Sequence, residues 1–144
     1  MSRRNQQTVL EKIVLGIFAG IWWLVKLPFR RKKSGGKISL ADQKYIMSKR
    51  HEIEKMAQSD NIYELKHAVI EADKLVDFIL KKRGFAGETF ADRLRSAEKK
   101  IDQANYQNLW NAHKVRNQIA HDDVEISKGQ LIKAIRTLME DYYA

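Results

Sequence analysis

The chain has 144 residues, which is room for one compact domain plus an appendage and too little for a TIM barrel or a two-domain dinucleotide enzyme. Seven Gly and one Pro would punctuate a sheet of many short strands poorly, and zero Cys excludes a disulfide scaffold and any zinc site built on thiolates. The formal net charge of +9 is unevenly spread: residues 1–37 hold nine Lys/Arg and one acid, a net of +8, whereas residues 38–144 hold eighteen and seventeen, a net of +1.

The basic excess therefore belongs to the N-terminal segment. Residues 38–144 have the balanced charge of an ordinary soluble domain, without the broad basic footprint of a nucleic-acid binder.

Ile13 to Val25 is an uninterrupted apolar run with no polar side to show to water. As a helix it would be only about 20 Å long, short of the roughly 30 Å hydrocarbon core. Extension from Thr8 to Phe29 gives about 33 Å, with Glu11, Lys12 and Lys26 near the ends, where long side chains reach the headgroups. Trp22 and Trp23 sit close to the C-terminal end, as interfacial aromatics do, and Pro28 stops the helix. Residues 1–29 are read as a membrane anchor in contact with lipid. It is either a single span or an in-plane interfacial helix, and a helix packed on the soluble domain is the third reading. The flank Arg30-Arg31-Lys32-Lys33 resembles a stop-transfer signal more than a cleavage site. The heavier positive flank lies C-terminal to the run, which predicts a cytoplasmic C-terminal domain. Gly16 and Gly20 form a G-x-x-x-G through which two anchors would pack closely, although such spacing is common in apolar segments.

Residues 30–38 form a basic, Gly-containing linker, with Ser34-Gly35-Gly36 its flexible part. The domain at 39–144 reads as an all-α, antiparallel bundle of about four to five helices with short connections. Ser39 with Asp42 starts the first helix, which runs to about Gln58. The second begins near Asp60-Asn61 and ends at Gly84, with Ile62, Leu65, Val69, Ala72, Val76 and Ile79 as its buried stripe. Thr89 with Asp92 caps a third helix carrying Phe90, Leu94, Ala97 and Ile101. A fourth runs from about Ala104 to His121, and its boundary with the third has no Gly or Pro to mark it. Ser127 with Gln130 caps the last, which carries Leu131, Ile135, Leu138 and Tyr142.

The fourth helix holds the one unusual constellation. Its buried face, Tyr106, Leu109 and Trp110, leads at steps of three and four to His113, then Arg116 and Asn117, then Ala120 and His121. An apolar stripe that turns polar along its own line points to a cleft, a buried network or an interface. The plainer alternatives are cations favoured at a helix C-terminus and a satisfied core histidine. Asp122 and Asp123 come next and read as a plain turn, with orientation of His121 as the lesser reading. No Gly-rich phosphate loop is present, and His113 with His121 lacks a third ligand, so neither metal nor cofactor is expected. His51 and His67 read as surface residues. Lys81-Lys82-Arg83 reads as a solvated helix end, with an RNA or phosphate contact as the lesser reading.

Arg116-Asn117-Gln118-Ile119-Ala120-His121 resembles the Arg-x(4–6)-His motif of HEPN domains, in which a polar residue such as Asn often follows the Arg. The preceding Trp110 and the wider His-x-x-Arg-Asn-x-x-Ala-His context strengthen the likeness, which covers about residues 39–144. The resemblance implies an all-helical bundle with the motif before the last helix. It also implies a metal-independent endoribonuclease acting as a homodimer, with two motifs meeting across the two-fold axis. Arg116 would bind the scissile phosphate, His121 would be the general acid or base, and Asn117 would position the pair. His113 lies outside the family motif and joins as an accessory residue on geometry alone. The alternative that the family also allows is a non-catalytic module that dimerises or docks a protein partner at the membrane.

Overall fold

The computed structural model describes residues 36–121 and 125–140. The apolar run Ile13–Val25, with Gly16, Gly20, Trp22 and Trp23, lies outside them, as do Asp122, Asp123 and Tyr142. Among the described residues no helix is long and apolar enough to cross a membrane.

Five α-helices and no strand are present among the described residues: α1 (Leu40–Ala57), α2 (Ile62–Lys82), α3 (Phe90–Ala97), α4 (Gln103–His121) and α5 (Lys128–Met139). Their ends are set by short-range chemistry. The Ser39 hydroxyl accepts from the Asp42 amide at α1, and Asn61 accepts from the Tyr63 amide at α2. Thr89 with Asp92 and Ser127 with Gln130 form complete capping boxes at α3 and α5. The C-terminus of α2 closes in a Schellman arrangement: Phe85 N–H donates to the Leu80 carbonyl, and Gly84 N–H to that of Lys81. Gly84 takes φ 81° there, where a side chain would be strained.

One boundary differs from the expectation. Ile101 is buried but not helical, because α3 stops at Ala97, a 3₁₀ turn covers Glu98–Lys100, and Ile101 is extended. The cause is Asp102, whose Oδ1 accepts from the amides of Ala104 and Asn105 and so starts α4. Breaking the helix lets α4 take its own direction while Ile101 stays in the core.

The long helix α2 is the hub, packing on all four others. Every helix sends at least one fully buried side chain inward: Ile53 from α1, Leu65, Val69 and Leu80 from α2, Leu94 from α3, Leu109 from α4 and Leu131 from α5. Full burial of such a side chain stabilises by roughly 1.5–3 kcal/mol. Ile53 is the one buried residue of α1, so that helix leans on other contacts. Asp42 pairs with Lys82 at 2.8 Å, and the ring of Tyr45 meets that of Phe78 at 4.8 Å. The corner between α1 and α2 is tied to the start of α5 by an Asp60–Lys128 ion pair. Gly36 approaches the end of α2 so closely that a Cβ there would collide with the Lys82 carbonyl oxygen. Gly36 is thus a contact point on the end of α2.

Candidate functional site

Asp73 is the residue around which the polar cluster is built. It follows Val69 by four residues and precedes Val76 by three, so it lies on the buried stripe of α2 and is only 5% exposed. Its Oδ1 accepts a hydrogen bond from His113 Nδ1 of α4 at 2.8 Å. Its Oδ2 lies 3.8 Å from Arg116 Nε, one turn further along α4. That distance is too long for a hydrogen bond, and Arg116 Nε is buried with no hydrogen-bond partner, so the attraction is purely of charge. Arg116 donates instead through a terminal nitrogen to Asn117 Oδ1 at 3.2 Å.

The His113 ring is fixed on three sides. Phe90 of α3 stacks on it at 4.3 Å between centroids and 9° between planes. Trp110 meets it edge-on at 6.1 Å, and Asp73 holds its Nδ1. Nδ1–H donates to the carboxylate, which leaves Nε2 as the ring's other hydrogen-bonding atom. A second carboxylate, Asp77, stands one turn beyond Asp73 on α2 and accepts from Arg93 of α3 at 2.5 Å. Arg93 also donates to the Glu88 carbonyl at 3.1 Å and is 7% exposed. Helix α2 thus presents one acid to α4 and the next to α3, and each meets a cationic or imidazole group.

The expected continuation of the α4 stripe is corrected at its far end. Tyr106, Leu109 and Ala112 are buried, and Val115 and Ile119 pack against the core, whereas Ala120 and His121 are exposed. Contacts at steps of three fall short of a full 3.6-residue turn, so the buried line drifts around the helix and leaves His121 outside it. Arg116 and Asn117 are half-buried at the border, and the Arg116 side chain, 35% exposed, reaches the surface. Five residues apart on a helix, Arg116 and His121 are offset by about 140° and about 7.5 Å. No hydrogen bond or ion pair joins them among the described residues. The structure therefore brings together His113, Arg116 and Asn117 around Asp73, and places His121 apart in solvent.

Asp73, Asp77 and Arg93 were not singled out from the sequence. The available signal was an acid in the middle of an apolar stripe and an arginine between Phe90 and Leu94. His51 and His67 are exposed, as expected, and His67 lies 3.8 Å from Glu71. At the end of α2, Lys82 is engaged by Asp42 and lies over the Phe78 ring. Among the described residues no group of three His, Asp or Glu is placed to hold a metal ion. Comparison with models of known protein families, with curated proteins and with solved structures finds no match.

Chemically, the cluster offers a partly exposed guanidinium and one held imidazole, His113, while the imidazole of His121 stands outside it in solvent. A guanidinium suits an anionic oxygen group, and imidazole suits proton transfer near neutral pH.

Proposed function

We propose that residues 39–144 are a HEPN-like module that cleaves RNA without a metal, works as a homodimer, and is held at the cytoplasmic side of a membrane by residues 1–29. One observation carries the enzymatic part. Arg116 is steadied by Asp73 and Asn117 yet still reaches the surface, and the motif histidine His121 stands open and unpaired with Arg116. A site kept only for structure would lock the two together.

In this mechanism the RNA 2′-OH attacks the adjacent phosphorus and loses its proton to an imidazole. The 5′-oxygen leaves with a proton from a second imidazole, giving a 2′,3′-cyclic phosphate and a 5′-OH. Arg116 offsets the charge gathering on the phosphorane oxygens. One chain supplies one motif histidine, and a two-fold pair supplies the acid and the base together.

The non-catalytic docking module is favoured by a different observation: Asp73 faces Arg116 and offsets part of its charge. Incubating the full chain, in detergent and with EDTA, with mixed RNA separates the two. Cyclic-phosphate ends and a dimer in light scattering support the ribonuclease. Intact RNA leaves the docking module.

A further inference from the structure

The outer face of α1 has no partner in the fold. At 100° per residue, Leu40, Lys44, Met47, His51 and Lys55 fall within an arc of about 80°, turned away from the buried Ile53. Leu40 is 77% exposed and Met47 71%, and Lys44, His51 and Lys55 are exposed as well. None of these three basic side chains is in an ion pair or hydrogen bond among the described residues. Elsewhere on α1 Asp42 holds Lys82, and Lys49 holds Glu52. Glu54 stands at the border of the arc, next to the neutral Gln43. Two apolar side chains set among two unpaired lysines and a histidine make a poor solvent face and a good interfacial one.

We infer that this face of α1 lies on an anionic lipid surface. The inference rests on the anchor proposed above, and three arguments assign the occupant. Charge complementarity is the first, since lysines beside exposed apolar groups suit acidic headgroups over an acyl boundary. Reach is the second. Ten residues separate Phe29 from Leu40, so the eleven steps of chain allow at most about 40 Å between the anchor's end and α1. The third is continuity in sequence, because Lys44 and Lys55 follow the basic residues Arg30 to Lys33 and Lys37. The consequence is an oriented domain: α1 lies flat on the membrane instead of swinging on a free tether.

Because the chain has no Cys, a single reporter can be placed without background. Full-length Met47→Cys, carrying an environment-sensitive fluorophore, is reconstituted into vesicles of phosphatidylcholine alone or mixed with phosphatidylglycerol. Asn111→Cys, exposed on α4, serves as the control, and flotation reports the anchor separately. The expected result is a blue shift, with quenching by lipid-borne nitroxide, at position 47 on the anionic vesicles only. Lys44→Glu with Lys55→Glu should abolish it while helical circular dichroism is unchanged. A chain that floats but keeps a water-like signal at position 47 overturns the inference and spares the anchor. Failure to float overturns both. A shift that ignores lipid charge and grows with protein concentration means a second copy covers the face, which also overturns it.

Discussion

Asp73 Oδ1 and His113 Nδ1 lie 2.8 Å apart across forty residues of chain, in a part-buried pair joining α2 to α4. The same carboxylate turns its other oxygen toward Arg116. One acid therefore fixes an imidazole by hydrogen bond and orients a guanidinium by charge.

Loss of either member of that pair should destabilise the bundle strongly. Asp73→Ala leaves His113 Nδ1 without its acceptor, and His113→Ala strands the buried Asp73 carboxylate and empties the space under Phe90. Each should cost roughly 3–5 kcal/mol, the usual penalty for stranding half of a buried pair. The double variant should cost less than the two combined, with a coupling of about 0.5–3 kcal/mol. Urea melts of the four proteins measure it, and simple additivity would refute the direct interaction.

Activity and stability should part company at the motif. For the ribonuclease proposed above, His121→Ala should slow RNA cleavage by about 10²–10⁴-fold, and Arg116→Ala by about 10²–10³-fold. The double variant should be little worse than the poorer single, since the groups act together. His121 is exposed, so its removal should leave Tm unchanged. Cleavage rates and melting curves on the same variants decide the matter, and cleavage that survives both changes removes the site from the mechanism.

Two glycine substitutions should act with opposite sign. Gly84→Ala forces a side chain into φ 81° and should cost about 1–2 kcal/mol. Gly129, inside the first turn of α5, has open space where a Cβ would go. Gly129→Ala should stabilise by about 0.5–1 kcal/mol through the unfolded chain's lost freedom. Differential scanning of the two variants should show Tm falling in one and rising in the other.

Acid should weaken the fold below about pH 4. Lys74 draws the Glu71 carboxyl below the usual range, Lys82 does the same to Asp42, Lys128 to Asp60, and the Thr89 cap to Asp92. A carboxyl depressed by folding contributes stability that is complete above its unfolded value and disappears as pH falls through its folded one. These four groups should therefore add a constant amount above about pH 5 and a shrinking one below about pH 4. Tm followed from pH 7 to pH 3 tests this, and Glu71→Gln should flatten the acid limb.

The sequence by itself determined where most helices start and stop. Thr89 with Asp92, Ser127 with Gln130, and Gly84 after Lys82 act within a few residues, so their chemistry is complete before any tertiary contact forms. It also determined most of the α2 core face, because the 3.6-residue period records which side of a helix must leave water. Asp102 was legible in the same way, as an N-cap residue, but no Gly or Pro drew attention to it. Only the tertiary structure decided what the polar residues of α4 do. The motif spacing placed His113, Arg116, Asn117 and His121 along one helix without saying which would be covered. That depended on the drift of the buried line and on α2 packing beside α4, which brought Asp73 to His113 and Arg116 and left His121 in water. A carboxylate forty positions away leaves no mark on the local pattern, because electrostatic partners are chosen by distance in space.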